Sequence, residues 1–474
     1  MKKKVPLHQF FLRQCQCLSV FLSVFIFSGY GLSSQNKSPV VQENILTLQE
    51  AVQIALKNNR SLQRSRLGLA SSSLNVQSQN EEFDIKIIPS TSVNYTSSEN
   101  QYWSVGVKFF KQTRVGISGS ITPRIEQYGD IQRSSVSVGL NVPLLRGFGT
   151  DYNLDGLYSS LYALETARRD HYKHQDSLVI NTISTAYGVI NFQKQIDLLR
   201  TQIEGLKRHI SFTKLKEKTG LASAMDLYRA ELRLKEVQNE LTNVKKQFET
   251  YIDRLKDLLA ISMQGDLTVT APIDYQPVTV HLDEAVAIAL ENRIEIEQAK
   301  RKSKESKRMM AIARHEILPI IDLNLGYKRY DKGYDDTDSP FLDEEDWIVS
   351  LNGSSDLFRS KAKTAFEQAS ISYRQAKIDV ESTREDIIRE VRTQINQMKK
   401  IEKLIVDRTE QLRQAEGKLD LALSKFNHQL ADNFDLLEAQ TQRQQVETDL
   451  LFDAIGYIID TYKLRSVIGT LIER

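Results

Sequence analysis

The chain has 474 residues with 63 basic and 61 acidic side chains, a net charge of +2 and 41% hydrophobic content. So even a balance excludes a dedicated nucleic-acid binder, whose charge is lopsided. Nine prolines in this length leave room for long uninterrupted helices.

Residues 1–31 read as a signal peptide: Lys2, Lys3 and Lys4, an apolar run from Leu18 to Phe27, then small residues closing at Gly31, where cleavage is expected. Both cysteines, Cys15 and Cys17, lie in that leader, so the mature chain is expected to carry no disulfide, no thiolate metal site and no acyl anchor. Beyond it no apolar run reaches the roughly 18 residues of a membrane helix. An exported chain of this kind is either soluble or a β-barrel.

Residues 33–44 are polar and read as an extended tail. A helix opens in LTLQEAVQIALKNN, with Thr47 and Glu50 spaced as a capping box and Leu48, Val52, Ala55 and Leu56 as its apolar stripe. The phrase returns as VHLDEAVAIALENR at residues 280–293, offset by 234, with Glu284 in place of Glu50 but His281 in place of Thr47. Self-similarity at this separation is duplication of a half-protein, not a short solenoid.

Each such helix leads to a proline-opened strand region, at residues 88–143 and 318–355. Apolar residues alternate at Trp103, Val105, Val107 and Phe109, at Val115 and Ile117, and at Val136, Val138, Leu140 and Val142. The second region alternates at Leu323, Leu325 and Tyr327, then at Trp347, Val349 and Leu351, with small or polar residues between. That pattern fits a membrane β-strand or a half-buried soluble sheet.

Long helices follow at residues 150–219 and 360–428, each about 105 Å at 1.5 Å per residue. Their seams step 3-4-3-4, through Ile196, Leu199, Ile203, Leu206 and Ile210, and through Leu412, Ala415, Leu419, Ala422 and Phe426, as coiled coils do. Each turns at a hairpin tip, near Gly220-Leu221 and near Gln429-Leu430, and returns as a shorter helix. Superposing the tips at an offset of 209 places Asp226 on Asp435, Ala230 on Ala439 and Arg229 on Glu438. Ser223 stands where a cap for the first return helix belongs. The chain thus divides into a first repeat at 45–260, a linker at 261–279 midway along the rod, and a second repeat at 280–474.

Two strands per half give four per chain, too few to close a barrel, so self-association is required: two chains would supply eight strands and three would supply twelve. Measured from Pro89 to Pro143, the first strand region exceeds the second, Pro319 to Asp356, by 17 residues, which leaves room for a further hairpin and a count of six.

These phrases, in this order and in both halves from about residue 45 onward, resemble the TolC-like outer-membrane efflux protein family. The family's opening helix is similar to LTLQEAVQIALKNN, its strand exit to VPLLRGFG, and its tips to GLASAMDLYRAE and ADNFDLLEAQ. The chain departs from it at Arg60 and Ile294, where a proline is frequent, and at Gln429, where a glycine is usual. The resemblance implies an α+β membrane protein of duplicated helical hairpins: a homotrimer with a twelve-strand barrel in outer-membrane lipid above a helical periplasmic tunnel. It implies an exit duct for a tripartite efflux pump or type I secretion system, with a periplasmic adaptor (membrane fusion protein) and an inner-membrane transporter as partners. A periplasmic coiled-coil adaptor or scaffold is the alternative.

No catalytic, cofactor or metal site is expected. Of seven histidines only His171 and His174 share a helix face, short of the three or four ligands a metal needs. The acidic set Asp432, Asp435 and Glu438 is either ordinary helix surface or a carboxylate ring at the tunnel's narrow end, which would favour cations. In a trimer, Arg229 and Glu438 would alternate around one level above Asp226 and Asp435 and close the constriction by charge pairing. Gly220, Leu221, Gln429 and Leu430 are the expected adaptor-docking tips.

Overall fold

The computed structural model describes residues 45–95, 101–129, 131–219, 223–331, 342–428 and 433–472; the expected leader lies outside them. β1 (Ile45–Thr47) leads into α1 (Leu48–Asn58) and α2 (Arg60–Glu81), followed by β2 (Lys86–Tyr95), β3 (Gln101–Gln112), β4 (Ser118–Tyr128) and β5 (Ile131–Pro143). A helical turn, α3 (Thr150–Asn153), precedes the 64-residue α4 (Asp155–Lys218), which returns as α5 (Ala224–Leu259). After β6 (Thr268–Thr270) come α6 (Leu282–Asn292), α7 (Ile294–His315), β7 (Ile320–Tyr330), β8 (Glu344–Ser354), the 68-residue α8 (Ser360–Asn427) and α9 (Asn433–Val467).

The single opening helix expected in each half is two helices. Thr47 and Glu50 form the capping box of α1, and the chain breaks at Asn59, where ψ is 128°. Asn59 then accepts from the amides of Ser61 and Leu62 and starts α2. The break recurs at Arg293, ψ 122°, between α6 and α7. This is the extended geometry a residue takes before proline, here kept without proline at the next position. Ala51, Ala55 and Leu62 are buried in one half, and their counterparts 234 residues on, Ala285, Ala289 and Ile296, in the other.

In each half the long helix carries the shorter ones along its length: α1, α2 and α5 pack on α4, and α6, α7 and α9 pack on α8. Ile196, Leu199, Ile203, Leu206 and Ile210 are buried against Ala230, Val237 and Val244 of α5. Ala422 and Phe426 are buried against Leu436 and Ala439 of α9. Ala230 and Ala439, superposed by the offset of 209, are both wholly buried, so small residues set the close approach in both hairpins. The linker is held at mid-rod. β6 pairs in parallel with β1, the Tyr187 hydroxyl donates to the Pro272 carbonyl at 3.1 Å, and the Tyr457 hydroxyl accepts from the Val278 amide at 2.9 Å. Burial pushes the Tyr187 hydroxyl up to about 12.

Among the described residues the sheet has six strands in the order β2-β3-β4-β5-β7-β8, antiparallel throughout, with β2 and β8 as edges. The first half contributes four of them and the second half two, the further hairpin for which the longer first region left room. β4 was obscured by Pro123: the β3–β4 ladder runs from Gly106↔Arg124 to Phe109↔Ile121 with a gap between, because proline brings no N–H to it. One apolar row crosses every strand: Ile87, Phe109, Ile121, Val138, Tyr327, Trp347. A parallel row, Leu140, Leu325, Val349, lies two residues away, and all these side chains are exposed. The other face carries rows such as Ser118, Asn141, Asn324, Ser350, in which the Asn141 amide donates to Asn324 at 2.8 Å. Among the described residues no helix is long and apolar enough to cross a membrane.

Candidate functional site

The end of the rod remote from the sheet holds the candidate site. There Ser223 caps α5 in a full capping box: its hydroxyl donates to Asp226 Oδ2 at 2.6 Å, its amide donates to the same oxygen at 3.0 Å, and the Asp226 amide donates back at 3.2 Å. The Ser223 bonds hold the Asp226 carboxyl below its ordinary range, and the Arg229 guanidinium adds to the lowering. Asp226 is therefore first a cap.

Return helices α5 and α9 meet near this end. Arg229, Leu232, Arg233 and Glu236 from one, and Phe434, Leu437, Glu438 and Gln442 from the other, line a shallow groove. Arg229 and Glu438 thus line one groove, and each also engages another group. Arg229 lies 5.9 Å from the centroid of the Phe434 ring. Glu438 is bound by Lys418 of its own hairpin at 3.1 Å and accepts from Gln442 at 2.9 Å. Asp435 is exposed in the first turn of α9, three residues before Glu438. Gly220, Leu221, Gln429, Leu430 and Asp432 lie outside the described residues.

On the long helices, Phe426 sits against α4: His209 is 5.5 Å and Phe212 5.8 Å from it, ring to ring, and Lys216 Nζ stands 3.9 Å from its centroid. Two of the contacts between the hairpins of one chain thus set a first-half cation near a second-half phenyl ring. Sequence reasoning missed this. Phe426 ends the second seam and invites assignment to its own hairpin, and nothing local marks Lys216 as its partner.

Farther up, His171 Nδ1 faces Ser65 Oγ at 3.0 Å, a link between α2 and α4. No group of three or more His, Cys, Asp or Glu able to hold a metal occurs among the described residues. The two halves are also clasped by ion pairs between α4 and α7: Asp155 with Arg308 at 2.5 Å, Lys173 with Glu295 at 3.6 Å.

Residues 285–470 match the family model described as outer membrane efflux protein. The outer membrane protein TolC of Vibrio cholerae serotype O1 is 20% identical over 339 residues, covering 67% of this chain and 74% of that protein. The outer-membrane channel OprN superposes with a TM-score of 0.70 at 16% identity, over 89% of this chain and 90% of that one. The Campylobacter jejuni CmeC outer membrane channel does so with a TM-score of 0.68 at 16% identity, over 90% of this chain and 86% of that one. The second half of the chain thus resembles the outer membrane efflux protein family, and the chain as a whole has the fold of the outer-membrane channels OprN and CmeC.

Proposed function

We propose that three copies of this chain form an exit duct that passes cargo from a periplasmic adaptor and an inner-membrane transporter to the outside, as part of a tripartite efflux pump or a type I secretion machine. The observation that carries this is the sheet. It exposes an apolar row that runs across all six strands, and it ends in two unpaired edges that cannot face lipid. Only other copies can cover those edges while leaving the apolar face to the bilayer.

Beneath the barrel the four helical segments of each copy form a share of the tunnel wall. The hairpin tips around residues 220 and 429 are the adaptor-docking points, and Asp226, Arg229, Asp432, Asp435 and Glu438 line the constriction. Each exposed contact is worth about 0–1 kcal/mol, so a set of them holds the tips together and still yields to an adaptor. The chain itself conducts and does no chemistry.

Deletion of the chain, with drug resistance and protein secretion profiled in parallel, tests the duct and separates its two uses. Loss of either supports the proposal, and retention of both overturns it. Unboiled gels of membrane fractions separate a duct from a periplasmic adaptor: the duct shifts on heating, the adaptor does not.

A further inference from the structure

We infer that this duct ends in an eighteen-stranded barrel rather than the twelve-stranded one its family resemblance implies, with a bore wide enough for polypeptide cargo. This rests on the three-copy reading above.

Each chain places six strands in one continuous sheet. The surplus over the second half is the β3–β4 hairpin, and it is wall rather than plug. Ten consecutive pairs join β3 to β2, from Lys86↔Phe110 to Tyr95↔Gln101, and eleven join β4 to β5, from Ser118↔Asn141 to Tyr128↔Ile131. The apolar row passes through Phe109 and Ile121 without interruption, so the hairpin shares the exposed face of its neighbours.

Its turn is also built in. The Val115 carbonyl accepts from the Gly149 amide at 3.0 Å, and Gln112 donates to Asn153 Oδ1 at 3.3 Å. Gly116, at φ +99°, sits so close that a Cβ there would meet the Gly147 carbonyl at 2.2 Å. The seat is the stretch joining β5 to α4, so the hairpin is anchored where sheet meets rod.

Six is even, so β2 and β8 run in opposite directions and successive copies close antiparallel, β8 to β2. At about 4.8 Å between strands and a tilt near 40°, eighteen strands give a backbone cylinder about 36 Å across, against about 24 Å for twelve. The opposite face bears the small residues Ser104, Gly106, Ser120, Gly139 and Gly326 among longer ones such as Arg124, Glu126 and Lys328, which project into the bore and narrow it only in part. An α-helix with its side chains is about 10–12 Å wide and passes such a bore. Size selection then falls to the tips, not to the membrane.

The test is a density map of the detergent-purified wild-type assembly, with disulfide mapping in membranes. Beyond the leader the chain has no cysteine, so introduced pairs report alone. We expect eighteen strands. We also expect S90C or S92C paired with S350C or N352C to yield covalent dimers and trimers on oxidation. Polyethylene glycols too wide for a twelve-stranded bore should lower conductance when added from the barrel side. A three-copy pore with twelve strands, or β2–β5 crosslinks within one chain, overturns the inference and leaves the duct standing. A map with no oligomeric pore overturns both.

Discussion

Asn59 and Arg293, 234 residues apart, tie the same helix break to the same place in each half. Asn59 Nδ2 donates to the Leu258 carbonyl at 3.0 Å, and Arg293 Nη1 to the Val467 carbonyl at 3.1 Å. Leu258 and Val467 are themselves 209 apart and end the two return helices. Each bond satisfies a carbonyl left orphaned at a helix C-terminus. The halves have diverged in side chain, an amide against a guanidinium that also reaches Glu295 and Glu390, while keeping the acceptor. Asn59→Ala removes the cap of α2 together with this tie and should cost about 1–2 kcal/mol, read as a lowered melting temperature in detergent. Arg60→Pro should instead stabilise the protein by about 0.4–1 kcal/mol, because position 60 is the first of the helix and its predecessor already holds the pre-proline geometry.

The return helices also end alike. Ala260 takes φ +53°, and Gly469, its counterpart at offset 209, takes φ +74°. In both, the next amide closes back on the residue four before the turn: Ile261 on Lys256, Thr470 on Arg465. An alanine in that geometry costs about 1–2 kcal/mol, partly offset by glycine's greater chain entropy. Ala260→Gly should therefore stabilise the protein by about 0.5–1 kcal/mol, and Gly469→Ala should destabilise it. The same melts decide.

In the sheet, Leu325 lies on the exposed apolar face and Asn324 on the opposite one. A charge on the lipid face near mid-bilayer costs about 2–4 kcal/mol, so Leu325→Arg should reduce outer-membrane assembly far more than Asn324→Arg. Quantified membrane fractions giving equal yields would refute the assignment of faces.

At the tips, Lys216 over Phe426 and Arg229 over Phe434 each oppose separation of the hairpins. Such contacts are worth about 0.5–1 kcal/mol at exposed sites, as at Phe434, and about 2 kcal/mol when desolvated, as at the buried Phe426, so Phe426→Ala with Phe434→Ala should raise the open fraction at least about tenfold in single-channel records. Arg229→Glu should also open the pore, and adding Glu438→Arg should restore closure. A doubly phenylalanine-deleted channel as closed as wild type would remove this latch.

The Asp226 cap carries a pH dependence of definite sign. Its folded carboxyl titrates below the ordinary range because Ser223 bonds the ionised form. That stability is present above the unfolded value near 4 and is lost as pH falls through the lower folded one. Protection against hydrogen exchange at the start of α5, taken relative to the intrinsic rate at each pH, should fall below about pH 4, and Asp226→Asn should show the lower protection at neutral pH.

Much of this was legible in the chain. The 3-4 seams of α4 and α8, the alternation of β5, β7 and β8, and the paired tips follow from periodicity, because burial of one face dictates residue spacing. The missed features depend on partners distant in sequence or on rules broken locally. β4 carries Pro123, Arg124 and Glu126 and so lacks clean alternation, yet it is held on both sides by neighbours that periodicity cannot see. The helix breaks were hidden because neither Arg60 nor Ile294 is a proline, and the caps at Asn59 act through bonds to Ser61 and Leu62. Contacts such as Lys216 with Phe426, 210 positions apart, leave no local trace.

Native mass spectrometry of the protein extracted from outer membranes in detergent tests the account most directly, because an open six-stranded sheet with an apolar face requires partners. The account predicts one species of three times the chain mass, with no substantial population below it. A stable monomer would contradict it.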